Sequence, residues 1–362
     1  MTDKRMPAGE FLERFNEEKL DRRTFMKVAA ILGGAAAFGI PLAACQPAAS
    51  TPAASSKQAF EMKLALASPM LSFTSIYSGN AHNYFAQEGI ANAITEFAGG
   101  SDQVRAILTG GYPLGITSPT AGMAALETGE KARYIAGGFD GSQVGFIVKA
   151  DSPYKKPEDL KGKKFKITYS RPNSASHILA FLGLKAVGID ANDKNQVEFI
   201  AAGGTADSWT AVKTGLVDVG WSTEPTISNV EIQKEGRPLW MARELVKDWT
   251  EYGTLTTQAV IDSNPKELKA WVTAVIKSLD WVKNNYSEAA KDLAKVLTID
   301  VKVAETALNK IPKDAWTITM RKSSWEFAAK ATMDFGGLKA MPDWKTLINQ
   351  SFLPENLRDA AY

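Results

Sequence analysis

The sequence predicts an α/β fold of two similarly built lobes, and three observations carry that prediction. Two stretches 105 residues apart spell the same local structure. The first reads Gly99-Gly100-Ser101-Asp102-Gln103-Val104-Arg105-Ala106-Ile107-Leu108-Thr109-Gly110, then Leu114-Gly115-Ile116-Thr117-Ser118-Pro119. The second reads Gly204-Thr205-Ala206-Asp207-Ser208-Trp209-Thr210-Ala211-Val212-Lys213-Thr214-Gly215, then Val219-Gly220-Trp221-Ser222-Thr223-Glu224-Pro225. In each, a Ser or Thr caps a helix that stops at a left-handed Gly, a short apolar strand follows, and a second Ser/Thr ahead of Pro opens another helix. The second observation is that strands and helices alternate through the rest of the chain, the pattern of largely parallel sheets. Third, the body from Phe60 to Tyr362 runs to roughly 300 residues, enough for two cores.

In chain order, the first feature is Asp21-Arg22-Arg23-Thr24-Phe25-Met26-Lys27, an apolar run, and then Leu42-Ala43-Ala44-Cys45. The paired Arg22 and Arg23 with Phe25 and Lys27 resemble a twin-arginine export signal, and Leu-Ala-Ala-Cys resembles a lipobox. Val28 to Leu42 is uncharged and rich in Ala and Gly. It is shorter than the about 20 residues of a membrane-spanning helix and suits a cleavable signal. The expectation is a signal over 1–44 and a lipid on Cys45, the only cysteine, so no intramolecular disulfide can form. Residues 45–59, rich in Ala, Pro, Ser and Thr, read as a flexible linker.

Within the body, Met62 to Ala67, Ile135-Ala136, Gly145 to Lys149, Phe165 to Tyr169, Val197 to Ala201 and Val217 to Trp221 read as strands. Ala175 to Ala186 reads as a helix, and Thr256 to Ile261 is expected to return the chain to the first lobe. Asn264-Pro265 caps a long helix with a stripe of Leu268, Trp271, Val272, Val275, Ile276, Leu279 and Val282. Further capped helices are expected near Ser287, Asp300, Ser324 and Asp343, and the C-terminal third reads as packing around a scaffold. Lobe one is placed at 60–149 with 256–362, and lobe two at 150–255.

Charge and motifs narrow the function. Subtracting the seven basic and six acidic residues of 1–44 from totals of 42 and 40 leaves 35 against 34, with no basic tract, which argues against nucleic acid. The chain lacks a zinc-type His pair, Cys-x-x-Cys, a phosphate-binding Gly-x-x-x-x-Gly-Lys-Ser/Thr and a Gly-x-Ser-x-Gly elbow. Its two histidines, His82 and His177, have no partner that sequence can name. This argues against an enzyme, a cofactor and a metal site. Polar binding is the stronger chemistry. Ser118-Pro119, Asn173-Ser174 and Thr223-Glu224 each follow a strand and open a helix, where free backbone N–H groups favour a polar oxygen or anion. They are caps in any case, and ligand donors as well in the functional reading. Among Phe73, Tyr77, Phe139, Tyr169 and Trp221 as a flat wall, Trp221 stands out because it ends a strand just before a helix start.

The body resembles the family of extracytoplasmic solute receptors that serve sulfonate, taurine, nitrate and thiamine-pyrimidine-precursor ABC importers. The resemblance lies in Tyr84-Phe85-Ala86-Gln87-Glu88-Gly89-Ile90, Gly99 to Ser118, Asp151-Ser152-Pro153 with Pro157-Glu158-Asp159-Leu160-Lys161-Gly162-Lys163-Lys164-Phe165, and Ala211 to Pro225, covering most of residues 60–290. It implies a type II periplasmic-binding-protein fold whose lobes close over one small solute. The receptor would be a monomer on a lipid anchor outside the cytoplasm, delivering to a permease whose ATPase is a separate subunit. A receptor for a TRAP-type transporter or sensor kinase is the alternative, and a thiamine-pyrimidine synthase-like enzyme a more distant one. The expected ligand-binding residues are Phe73, Ser118, Tyr169, Arg171, Ser174, Trp221, Thr223 and Glu224. Trp221-Ser222-Thr223-Glu224-Pro225 stands where sulfonate receptors often show Trp-Asp-Pro. Arg171 would suit a carboxylate or sulfonate and Glu224 an amine or aminopyrimidine, and the sequence leaves both open.

Overall fold

A computed structural model describes residues 59–362, apart from 68, 98, 128 and 130. The expected signal, Cys45 and almost all of the expected linker lie outside the described residues.

Five strands form the sheet of the first lobe. They are β1 (Phe60–Leu66), β2 (Ile90–Glu96), β3 (Leu114–Thr117), β4 (Ala132–Asp140) and the late strand β10 (Thr250–Thr257), in the order β2-β1-β3-β10-β4. The first three are parallel, and β10 runs antiparallel to both β3 and β4. The second lobe holds β5 (Gly145–Lys149), β6 (Phe165–Tyr169), β7 (Val197–Ala201), β8 (Gly220–Ser222) and β9 (Gly236–Met241). Here β6 and β7 are parallel, β5 lies antiparallel between β8 and β9, and a parallel bridge from Ile167 to Val219 joins the two groups. The order β7-β6-β8-β5-β9 repeats that of the first lobe strand for strand. The chain is α/β with two lobes.

The helices that matter below are α1 (Thr74–Ala81), α2 (Tyr84–Gln87), α3 (Gly100–Leu108), α4 (Pro119–Leu126), α5 (Ala175–Ala186), α6 (Thr205–Lys213) and α7 (Thr226–Ile232). After α8 (Ala242–Leu245) and α9 (Gln258–Ser263) come the C-terminal helices α10 (Pro265–Asn284), α11 (Tyr286–Leu297), α12 (Val301–Asn309), α13 (Lys322–Asp334) and α14 (Trp344–Leu347). The predicted stripe of α10 is buried except for Ile276, which is half-buried. Asp300 and Asp343 cap α12 and α14 by accepting from Lys302 N and Lys345 N. Ser324, expected at a helix start, lies inside α13, and its Oγ donates to Asp248.

The internal echo extends to side-chain packing. Gln103 Nε2 donates to the Ile116 carbonyl at 2.7 Å, and the equivalent Ser208 Oγ donates to the Trp221 carbonyl at 2.7 Å. Each bond ties a helix to the strand that follows it. A Cβ on Gly115 would lie 2.5 Å from Ile107 Cδ1, and one on Gly220 would lie 2.6 Å from the equivalent Val212 Cγ2. Gly110 and Gly215 end α3 and α6 at φ of 83° and 76°, the left-handed conformation that glycine adopts without strain.

The strands cross between lobes at other places than the sequence predicts. β5, assigned to lobe one, pairs only with second-lobe strands, and all of β10 belongs to the first sheet. Thr256 to Ile261, expected to carry the return, is the end of β10 running into α9. The strands are short and apolar in either lobe, so composition does not name their partners. The crossings therefore fall at 141–144 and around Val246 to Trp249, and they touch where Gly141 N donates to the Trp249 carbonyl at 2.7 Å. A third link is α13. Its Trp325 packs edge-on to Tyr134 in the first core, its Ala328 and Ala331 join the second, and Phe335 beyond it packs on His177 and Phe181. The C-terminal third is thus partly a strap across both lobes.

Candidate functional site

The carboxyl ends of β1, β3, β6 and β8 meet the starts of α3, α4 and α5 across the gap between the lobes. A small, partly closed cavity of ≈ 40 Å³ lies there. A single water needs about 10–15 Å³, so the space suits a small molecule. The first lobe contributes Met70, Gln103, Thr117, Ser118, Glu251 and Tyr252, and the second contributes Val144, Ser170, Ser174, Ser176, Trp221 and Thr223.

Each polar wall follows from local structure. Ser118 caps α4, its Oγ accepting from Ala121 N at 3.3 Å, and its carbonyl accepts from the Tyr134 hydroxyl at 2.8 Å. Asn173, one of the few non-glycine residues at positive φ (60°), turns the chain into α5. Ser174 there does not cap the helix with its side chain. Its hydroxyl joins those of Ser170 and Ser176 in a triangle of 2.9–3.0 Å, with Ser170 N donating to Ser176 Oγ at 2.9 Å. Trp221 is held by its backbone N donating to Thr168 Oγ1 at 2.9 Å. Thr223 accepts from Ile227 N through its carbonyl and so starts α7.

Four atoms on lining residues are buried without a partner: Gln103 Oε1, Thr117 Oγ1, Trp221 Nε1 and Glu251 Oε2. The Gln103 amide is fixed, because its Nε2 donates at 2.7 Å to both the Ala65 and Ile116 carbonyls, leaving Oε1 free to accept. Glu251 is 1 % exposed, and burial pushes its carboxyl up to about 7 against weaker opposing contributions from Ser142 and Trp249.

Four of the eight predicted residues line the cavity: Ser118, Ser174, Trp221 and Thr223. The other four do not. Phe73 is fully buried behind it, its ring 5.1 Å from that of Tyr252. Tyr169 stacks on His177 at 3.9 Å, in an aromatic group with Phe199. Arg171 Nε donates to Asp102 at 3.1 Å across the lobes. Glu224 binds Lys310 at 3.0 Å and accepts from Ser228 N at 3.0 Å, which uses its carboxylate at the mouth. Both charged candidates fasten one lobe to the other. Leu71 N donating to the Glu224 carbonyl at 2.9 Å and Ser101 Oγ donating to the Pro172 carbonyl at 2.8 Å complete the closure. Sequence reasoning did not single out Gln103, Thr117, Ser170, Ser176, Glu251 or Tyr252. For Gln103 a signal existed, since it stands opposite Ser208 in the echo.

Among the described residues no group of three or more His, Cys, Asp or Glu is placed to hold a metal ion. Nor is any helix among them long and apolar enough to cross a membrane.

A family model described as NMT1/THI5 like matches residues 71–289. No curated protein matches the chain. Among solved structures, the periplasmic aliphatic sulphonate-binding protein SsuA of Escherichia coli is similar over 80 % of this chain and 92 % of its own, at 17 % identity and a TM-score of 0.66. The periplasmic nitrate-binding protein NrtA of Synechocystis PCC 6803 is similar over 82 % and 87 %, at 14 % identity and a TM-score of 0.65. The ligand-binding component of an ABC-type import system from Staphylococcus aureus is similar over 82 % and 98 %, at 13 % identity and a TM-score of 0.69. At these identities the likeness is one of fold, and that fold is the type II periplasmic-binding-protein fold.

Proposed function

We propose, from the premise that the chain belongs to the NMT1/THI5-like family, that it is an extracytoplasmic solute-binding protein of an ABC importer. It captures one small polar solute between its lobes and hands it to a permease. The observation that carries this reading is the small cavity between the lobes, with five polar or aromatic side chains from each lobe's side of the gap and partnerless hydrogen-bonding atoms on both faces. Such a site is complete only when the lobes are shut. Buried polar atoms are costly without partners, so a solute that supplies partners favours the shut form over the open one.

The mechanism is hinge bending. The crossings at 141–144 and 246–249 lie on one side of the cavity, next to Val144 and Glu251. The opening side is fastened by Arg171 with Asp102, Ser101 with Pro172, and Glu224 with Lys310 and Leu71. Opening breaks these polar contacts, which water replaces at small cost, and leaves both cores intact. The reading extends to the address. The twin-arginine motif at Arg22 and Arg23 takes the folded chain across the membrane, cleavage precedes Cys45, and a lipid there tethers the protein. Residues 60–143 with 250–362 form lobe one in this reading, and 144–245 lobe two. ATP is hydrolysed by another subunit.

Solution scattering tests the mechanism. A solute that raises the melting temperature is expected to reduce the radius of gyration as well. A tight ligand that leaves the shape of the protein unchanged would contradict hinge closure.

A further inference from the structure

We infer that the cavity selects a small solute rich in hydrogen-bond donors, uncharged or cationic, and that Glu251 is the residue that makes this choice. The inference rests on the solute-binding reading above and narrows it. Four observations carry it. First, none of the described residues lining the cavity is Arg, Lys or His, and among them the only carboxyl is that of Glu251. Second, the lining atoms that lack partners are unbalanced. Gln103 Oε1 and Glu251 Oε2 accept, Trp221 Nε1 donates, and Thr117 Oγ1 does either. Third, the nearby cations are engaged elsewhere: Arg171 with Asp102, Lys310 with Glu224 and Glu231, and, beyond the hinge, Arg321 with Asp140 and Asp248. Fourth, the hydroxyls of Ser170, Ser174 and Ser176 bond to one another, which lowers their capacity to solvate an anion.

A sulfonate or nitrate entering this space would meet a carboxylate with no full positive charge to offset it. Helix starts at Ser118 and Ser174 supply only partial charges. An unpaired buried anion is strongly disfavoured, and two together more so. An ammonium, amidinium or amino-substituted ring does the reverse. It donates to Glu251 and Gln103, and it gives a buried carboxyl that lacks an ionic partner its counter-charge.

The charge of Glu251 gives the reading a second handle. Burial holds its carboxyl near 7, and burial together with the Glu251 charge raises the adjacent Tyr252 phenol above its ordinary range. Binding of a fixed cation therefore strengthens as pH rises through neutrality, because the carboxyl ionises. If a protonated Glu251 instead donated to an anion, binding would weaken over the same range.

The test is thermal shift and calorimetry on the mature protein with two probe panels. One holds amines, amidines and aminoheterocycles; the other holds methanesulfonate, taurine, nitrate and small carboxylates. Stabilisation by members of the first panel is expected, with at least tenfold weaker binding in Glu251→Gln and affinity that rises from pH 6 to 8 in the parent only. The unliganded variant is expected to melt no lower than the parent at pH 8, which shows that it is folded. Tight binding of an anion, unchanged in Glu251→Gln, would overturn the inference and leave the receptor reading standing. If neither panel stabilises or compacts the protein, the receptor reading falls, and this inference falls with it.

Discussion

Removing the carboxyl of Glu251 should change the sign of the protein's pH dependence, and the structure gives the size. Burial holds the Glu251 carboxyl at about 7 instead of 4.5, so between those values the folded chain keeps a proton that the unfolded chain has released. Stability therefore falls as pH rises through this window, by about 1.4 kcal/mol per unit and about 3 kcal/mol in all. His177 works in the opposite direction. Enclosed by Tyr169, Phe199 and Phe335, its imidazole is pulled down by burial to about 4 from 6.5. From about pH 4 to 6.5 the unfolded chain holds a proton that the folded chain has given up, so stability rises, by about 2 kcal/mol once partial exposure is allowed for. In the parent the two slopes oppose each other below about pH 6.5, leaving a decline only near neutrality. Glu251→Gln exposes the histidine's rise, and His177→Phe, which keeps an aromatic ring in the group, exposes the carboxyl's fall. Urea denaturation at half-unit steps from about pH 4.5 to 8 measures both, as each variant's difference from the parent. If the Glu251→Gln curve runs parallel to the parent's across this range, burial does not hold the carboxyl's proton as described.

Four further outcomes follow from the same geometry. Trp221→Ala is expected to weaken solute binding about tenfold or more, equal to 1.4 kcal/mol or more by calorimetry; unchanged affinity would remove the indole from the site. Gly115→Ala and Gly220→Ala should each cost about 1–3 kcal/mol in denaturant midpoint. Gly115 should cost more, because its new Cβ meets the Ala65 carbonyl at 2.9 Å, a backbone atom that cannot yield, and the reverse order would refute the packing account. Lys310→Met leaves Glu224, 1 % exposed, without its cation and should cost up to about 3 kcal/mol, with part restored by Glu224→Gln in the same chain; no recovery would mean the pair is not coupled. Intact mass of the membrane fraction checks the anchor: a lipid-sized addition on a chain starting at Cys45 is expected, lost in Cys45→Ser, and a full-length unlipidated chain would exclude it.

Short-range pattern determined a good part of this protein. The caps at Asp300 and Asp343, the left-handed Gly110 and Gly215, and the strand ends before Ser118, Ser174 and Thr223 depend on hydrogen bonds spanning a few residues, so the sequence displays them directly. The echo between 99–119 and 204–225 announced the repeated sheet order for the same reason. The tertiary structure decided which of those ends face one cavity and which charges remain free. Arg171 and Glu224 look like ligand groups in sequence, yet their partners stand 69 and 86 residues away on the other lobe. Glu251 sits in Thr-Glu-Tyr-Gly-Thr-Leu-Thr-Thr, a stretch rich in polar residues, yet in the fold nearly all of it is buried. Burial and charge pairing belong to surfaces that meet only when distant segments pack, and an ionisable group's role follows from its solvent and its neighbours rather than from its place in the chain.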